Sequence, residues 1–176
     1  MTAEYIYRCA VATVKVYGTT DAEKIFSMRG AEIMDKAPSG LSGMIILKDG
    51  KLTVYPPEGN LRTVRKISMA HMLGHLVLHR EKLYRGFCFE DALFMKKDCH
   101  VEKEADIFAS EILISDEKIK ELEGYGFTEG QIASHLGLLR PLAGCKIYSM
   151  RCRGIPVCGT AYREDFNKRY DIEVIM

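Results

Sequence analysis

The sequence predicts an α+β fold in which two helices that carry candidate metal ligands pack on a small antiparallel sheet, followed by a helical C-terminal extension. Segments 67–79 and 100–114 repeat apolar residues at helical spacing, with histidines or carboxylates beside them. Segment 44–55 has two short apolar runs around a tight-turn dipeptide, which indicates a β-hairpin. The 176 residues fit one compact domain, or a domain over 1–114 with an extension over 115–176.

Charge and composition limit the classes of function. The net charge of +1 and the pI of about 7.6 do not favour strong binding to nucleic acids or membrane surfaces. No apolar run approaches the roughly 20 residues that cross a bilayer, and the N-terminus lacks the pattern of a secretory signal. We therefore expect a cytoplasmic protein whose six cysteines are reduced: Cys9, Cys88, Cys99, Cys145, Cys152 and Cys158.

Two helices are predicted before the sheet. Apolar residues of segment 3–17 recur near helical spacing, and Gly18 is typical of a C-terminal cap. The polar residues 19–21 then offer side-chain caps for a short second helix that runs to about Arg29. We expect both helices to pack on the domain.

The clearest strand signal is the hairpin. Runs 44–48 and 51–55 flank Asp49-Gly50, a dipeptide suited to a two-residue turn, and Pro56-Pro57 ends the second strand. Two roles are open for this hairpin. It presents an edge to which an extended peptide adds by main-chain pairing, or it only covers the helix that follows.

The helix over 67–79 carries the first pair of candidate metal ligands. His71 and His75 lie four residues apart, so both project from one face and can aim two imidazoles at one zinc ion. His79 continues the series, but it lies roughly 12 Å further along the axis than His71. We therefore expect His79 to pack or to support a ligand histidine.

The same helix carries two structural predictions. Asn60 is the predicted N-terminal cap. Gly74 predicts a neighbour at close approach, because a mid-helix glycine costs about 1 kcal/mol relative to alanine.

Position 72 decides what chemistry the site supports. In the motif H-E-x-x-H the glutamate after the first histidine takes a proton from the metal-bound water. In this sequence that residue is Met72. A thioether cannot accept the proton, so the sequence offers a metal site without the catalytic base.

A third ligand is predicted from the helix over 100–114. Glu102 and Asp106 lie one turn apart beside its apolar stripe. This arrangement lets the glutamate coordinate zinc while the aspartate accepts the N–H of a ligand histidine. The alternative is that both are solvated charges, like Glu104 and Glu111, but the histidine pair favours the metal site. Glu104 lies about 160° around the helix from the midpoint of Glu102 and Asp106, so we expect it to point elsewhere.

The remaining segments carry less chemistry. Segment 84–97 is predicted to be an irregular connection and is a candidate for substrate selection. Ser115 is predicted to cap a short helix that ends at Glu123. Thr128 and Gln131 form a capping box that opens another helix.

The C-terminal extension contains a candidate DNA-binding element. Run 132–138 resembles the first helix of a helix-turn-helix. Segment 138–144 that follows is apolar and interrupted by Pro141, so we expect packing or partner docking rather than direct DNA binding. Alternating apolar residues over 170–176 predict a strand.

Two motifs carry a family resemblance. The run 65–79, RKISMAHMLGHLVLH, resembles the R-R-F-T-L-A-H-E-L-G-H-L-L-L-H signature of ImmA/IrrE-type metallopeptidases, and segment 102–114 resembles their E-x-x-A-N-x-F-A-x-E-L-L-M segment. The motifs occur in the family's order and at a similar separation, within a resemblance from about Thr19 to Leu139. The resemblance implies a zincin-like site in which Zn²⁺ is bound by His71, His75 and Glu102. Asp106 would lie behind these ligands and orient them.

The resemblance also implies a role for this chain: site-specific cleavage of a helix-turn-helix repressor, which induces a mobile element, prophage or stress regulon. The sequence departs from the family pattern at Met72, at Asp106 where Asn is common, and at Ser115 where proline is common. Only the first departure concerns activity. Three hypotheses follow: a zinc metallopeptidase inactivated at position 72, a natural pseudopeptidase that binds a regulatory protein, and a DNA-binding regulator with the metal domain as sensor.

Overall fold

The computed structural model describes residues 1–37, 43–59, 61–90 and 100–157. It confirms the α+β class, with helices and strands in one chain. The described elements are α1 Ala3–Tyr17, α2 Ala22–Met28, β1 Glu32–Ile33, β2 Met44–Lys48, β3 Lys51–Tyr55, α3 Arg62–Leu78, α4 Arg80–Tyr84, β4 Phe89–Glu90, α5 His100–Leu113, α6 Asp116–Gly124, α7 Glu129–His135 and α8 Arg140–Cys152.

The two N-terminal helices end where the sequence predicts. Helix α1 closes at Gly18, which adopts φ 65° and donates its backbone N–H to the carbonyl of Val14. Asp21 caps α2 by accepting the backbone N–H groups of Glu23 and Lys24. Both N-terminal predictions are confirmed.

The hairpin also has the predicted bounds. Asp49 and Gly50 adopt positive φ values of 51° and 76°, as a two-residue turn between antiparallel strands requires. The strand order is β1-β3-β2-β4, and β1 runs parallel to β3. The sheet is therefore mixed, and the prediction of an antiparallel sheet was wrong in this respect. A strand of two residues, such as β1, is too short to show an alternating pattern.

Helix α3 is buried on all sides over residues 67–76. Its N-cap position is Leu61, whose side chain makes no capping hydrogen bond; the predicted cap, Asn60, lies outside the described residues. Gly74 lies against α5, where an added Cβ would come within 3.0 Å of Ala105 Cα and 3.1 Å of its carbonyl oxygen. The close neighbour predicted from Gly74 is confirmed.

The predicted irregular connection contains regular structure in its described part. Helix α4 ends at Tyr84, and β4 pairs antiparallel with Met44 and Ile45 of β2. The prediction over 84–97 was therefore wrong at β4, since a two-residue strand carries no period that a sequence can display. Residues 91–99 lie outside the described part of the chain.

The helices of the C-terminal extension begin as predicted, with one exception. Ser115 caps α6 and a complete capping box opens α7. Pro141 does not interrupt a helix: it lies in the first turn of α8, where a missing N–H costs little. Helix α8 is largely buried against α1, α5 and α7, and one hydrophobic core includes residues on both sides of position 115.

Several sequence predictions fall on residues outside the described ranges, namely the strand over 170–176 and the thiols of Cys99 and Cys158. Within those ranges, the cysteines have free thiols: Cys9, Cys88, Cys145 and Cys152. No helix in the described part of the chain is long and apolar enough to cross a bilayer.

Candidate metal centre

The crossing of α3 and α5 brings the candidate ligands together. Gly74 lies between His71 and His75 in sequence, and its contact residue Ala105 lies between Glu102 and Asp106. Because neither contact residue has a side chain larger than a methyl group, the two backbones approach closely. The histidine pair of α3 therefore faces the carboxylate pair of α5.

Three potential ligand atoms converge at this crossing. His71 Nε2 lies 2.9 Å from His75 Nε2 and 3.2 Å from Glu102 Oε2. His75 Nε2 lies 3.5 Å from the same carboxylate oxygen. The structure thus brings together the three residues that the sequence predicts as metal ligands, as a group that could hold a metal ion.

Asp106 lies behind His71, where the sequence places it. Its Oδ1 is 2.8 Å from His71 Nδ1, and Asp106 is 5% exposed. A carboxylate can only accept, so His71 Nδ1–H donates to Asp106. In the neutral ring this leaves the lone pair on Nε2, the atom that faces Glu102 and His75.

His75 has a different partner on Nδ1, the ring nitrogen that faces away from the other candidate ligand atoms. His75 Nδ1 lies 3.2 Å from His79 Nδ1, and His79 Nε2 lies 2.8 Å from Glu104 Oε2. His79 thus supports a candidate ligand histidine, one of the two roles predicted for it. Glu104 points away from Glu102 and Asp106, as predicted, but its contact with His79 was not foreseen.

The second oxygen of the Glu104 carboxylate accepts a hydrogen bond from the amino group of Met1. Glu104 is thus bonded on both oxygens, and neither faces the three converging ligand atoms.

Burial and hydrogen bonding set the protonation states of the ligands. Burial lowers the pKa of His75 to about 4, although the nearby Glu102 carboxylate opposes this shift. Burial alone would raise the pKa of Glu102, but its contacts with the His71 and His75 rings outweigh burial and hold this pKa well below its usual range. At neutral pH, His75 is therefore neutral and Glu102 is ionised, which are the forms that bind metals.

The three candidate ligand atoms suit a zinc ion. Two imidazole Nε2 atoms and one carboxylate oxygen converge here, and this is a ligand set that zinc favours. Ligand atoms about 2.0–2.1 Å from a tetrahedral zinc lie about 3.3 Å from one another. The three observed separations, 2.9, 3.2 and 3.5 Å, are close to this value.

Strand β4 supplies one wall of the centre. The ring of Phe89 stacks on the His75 imidazole with centroids 4.1 Å apart and planes 11° apart. Its centroid is 5.9 Å from that of His79. Sequence reasoning missed Phe89, because a single aromatic residue in a segment without periodicity gives no signal.

Met72 is fully buried and belongs to the hydrophobic core. Among the described carboxylates bonded to the cluster, Glu102 faces both histidines, while Asp106 and Glu104 bond the outer nitrogens of His71 and His79. None of these three is placed as a substitute base. The Glu102 side chain is 17% exposed, whereas those of His71 and His75 are buried, so Glu102 is the candidate ligand that contacts solvent.

The fold and the site are consistent with a zincin-like metallopeptidase domain, the class in which two histidines on one helix and a carboxylate on a second bind zinc. Residues 57–142 match the family model Peptidase_M78, the IrrE N-terminal-like domain, which is the family that the two sequence motifs resemble. The match begins later than Thr19 and contains α3 and α5 with all candidate ligands. Comparisons with curated proteins and with solved structures found no match.

Proposed function

We propose that this chain is an ImmA/IrrE-like zinc metallopeptidase domain whose peptidase activity is absent or impaired because Met72 stands at the position of the general base. The observation that carries the proposal is the convergence of His71, His75 and Glu102 at the crossing of α3 and α5. Zinc bound there supplies Lewis acidity, which polarises a peptide carbonyl and makes water more acidic. The chain's own residues hold the ligands: Asp106 orients His71, and Phe89 packs on His75.

The proposed partner is a cytoplasmic helix-turn-helix repressor that controls a mobile element, a prophage or a stress regulon. Among the described residues of β2, only Met44 and Ile45 pair with β4. The rest of this edge of the sheet is therefore a place where an extended segment of such a repressor can pair through its main chain. Residues 46–48 of β2 continue along this edge. This arrangement supports the first of the two roles predicted for the hairpin.

Two alternatives belong to other classes. A natural pseudopeptidase that binds a regulator without cleaving it is favoured by Met72, because loss of a general base costs about 10²- to 10⁴-fold in rate. A DNA-binding regulator has less support. The helix that follows α7 is buried over residues 142–147 rather than exposed with basic side chains.

The first test is zinc content per chain, measured on protein purified without added metal or chelator. We expect about one zinc, lost in His71→Ala and in Glu102→Ala. Glu121→Gln, in an exposed ion pair on α6, is the matched control and should keep its zinc. A wild-type chain that binds no zinc, even when the metal is supplied, would contradict the proposed function.

The second test addresses position 72. Met72→Glu should create cleavage of a cognate repressor, found by screening helix-turn-helix repressors of the source genome with zinc-loaded protein. Met72→Gln has the same shape without the proton acceptor and should stay inactive. If Met72→Glu folds and binds both zinc and the repressor but cleaves nothing, the chain acts by binding and the pseudopeptidase is correct.

A further inference from the structure

His79 and Glu104 form a chain of hydrogen bonds that ends on a candidate zinc ligand. We propose that His79 and Glu104 are positioning residues that hold His75 in the tautomer whose Nε2 lone pair faces the metal. This inference rests on the proposed zinc site. Two consecutive contacts support this proposal. Glu104 Oε2 lies 2.8 Å from His79 Nε2, and His79 Nδ1 lies 3.2 Å from His75 Nδ1.

The direction of these two hydrogen bonds follows from the carboxylate of Glu104. A carboxylate oxygen only accepts, so the proton between Glu104 and His79 is carried on His79 Nε2. A neutral imidazole has one N–H and one lone pair, so His79 Nδ1 is an acceptor. The proton of the second bond therefore lies on His75 Nδ1, which leaves the lone pair on His75 Nε2.

Burial and a stacked ring hold the hydrogen bonds between Glu104, His79 and His75 in place. The His79 side chain is 4% exposed and that of Glu104 is 13% exposed, so little water competes for either bond. Phe89 stacks on the His75 ring and fixes its plane. A stacking contact does not distinguish the two ring nitrogens, whereas the bond to His79 places the proton on His75 Nδ1.

The two candidate ligand histidines thus reach the same state by different routes. His71 donates directly to a carboxylate, Asp106, whereas His75 reaches its carboxylate through a second imidazole. In both cases the outer bond selects the Nε2 lone pair. Groups that orient ligand histidines in this way typically contribute 10- to 100-fold to metal affinity.

The experiment measures zinc affinity by competition with a chromophoric chelator. His79→Leu and Glu104→Leu should each weaken zinc binding by about 10- to 100-fold. His79→Asn, whose carbonyl oxygen can accept from His75 Nδ1–H, should recover most of the affinity. Glu121→Leu on α6 is the matched control and should bind like the wild type. Because the residues act in series, the double variant should be no weaker than His79→Leu alone.

A second readout separates positioning from general packing. Nitrogen-15 NMR of the metal-free protein reports which nitrogen of His75 carries the proton, and that proton should move from Nδ1 toward Nε2 in Glu104→Leu. If a leucine variant does not fold, Glu104→Gln and His79→Asn give the comparison, with Glu104→Gln intermediate in affinity. Wild-type zinc affinity together with an unchanged His75 tautomer in the folded variants would overturn the inference. An absence of zinc binding in the wild type would instead overturn the proposed function.

Discussion

His71 and His75 of α3, and His79 at its C-cap, differ in their hydrogen-bond partners. Asp106 bonds His71, His79 bonds His75, and Glu104 bonds His79. Helical spacing predicted the first contact, because it places Glu102 and Asp106 on one face of α5. Spacing within α5 also placed Glu104 away from that pair, but it did not show that His79 lies in that direction. That contact depends on how the two helices cross.

Asp106 provides a test at the level of one hydrogen bond. Asp106→Asn keeps an oxygen that accepts His71 Nδ1–H, so zinc affinity should stay within a few-fold of the wild type. Asp106→Leu removes the acceptor and should weaken zinc binding by about 10- to 100-fold. Chelator competition measures both. Equal affinities of the leucine variant and the wild type would show that Asp106 does not orient His71.

At the scale of elements, local sequence chemistry predicted what is specified locally. The turn at Asp49-Gly50 and the caps at Gly18, Asp21, Ser115 and Thr128 depend on neighbours in sequence, and all of them are confirmed. The strands β1 and β4 exist because they pair with the hairpin, so their two-residue sequences carry no signal. The stacking of Phe89 on His75 has the same cause.

Pro141 shows a limit of another kind. A proline interrupts a helix from within but is tolerated in a first turn, so the interpretation depends on where the helix begins. Leu139 is the N-cap of α8 and its side chain makes no capping bond. The sequence therefore has no capping side chain to mark this start, and the helix was not predicted.

The crossing of α3 and α5 is testable through Gly74. A Cβ at this position would press on the backbone of Ala105 at 3.0–3.1 Å, and backbone atoms give way less easily than a side chain. Overpacking of this kind typically costs about 1–3 kcal/mol, against roughly 1 kcal/mol gained from helix propensity. Gly74→Ala should therefore lower the free energy of unfolding by on the order of 1 kcal/mol, measured in urea without metal.

Gly130 in α7 is the matched control for this substitution. An added Cβ there meets nothing within 4 Å, so Gly130→Ala should be neutral or stabilising. If both variants were equally stable, the close contact between α3 and α5 would not constrain the fold.

At the scale of the whole molecule, a buried ionic cluster connects α5, α6 and α8. Lys146 Nζ lies 2.5 Å from Glu111 and 2.6 Å from Asp116. Arg153, just after α8, pairs with the same two carboxylates and stacks over the ring of Tyr7 on α1. Two cations and two anions balance in charge, so the extension is joined to the ligand-bearing helix by paired charges as well as by apolar packing.

This cluster predicts a response to acid. Burial alone would raise the pKa of Asp116, but hydrogen bonds from Arg153 and Lys146 lower it to about 2 from an ordinary 3.8. The unfolded chain therefore binds this proton more readily than the folded one. The contribution of Asp116 to stability is complete above about pH 4 and is lost as pH falls toward 2.

Urea unfolding at a series of pH values measures this contribution. Asp116→Asn should be less stable than the wild type at pH 7, and the difference should shrink as pH falls from 4 to 2. Glu117→Gln, an exposed change in the same helical turn, should show no such convergence. A difference between wild type and Asp116→Asn that does not depend on pH would exclude a role for the Asp116 charge.

The candidate ligands come from two helices, and this has a thermodynamic consequence. Glu102 and His71 are 31 positions apart in sequence, so an ion bound by both is a crosslink that the unfolded chain lacks. Linkage then raises the free energy of unfolding by about 2.7 kcal/mol when free zinc is 100 times its Kd. The thermal midpoint should rise with added zinc and fall with a chelator, and His71→Ala should abolish both shifts. Met72 offers no proton acceptor but is not one of the candidate ligands, so with zinc bound as proposed the metal supply would set the folded fraction of the chain, whether or not any peptide is cut.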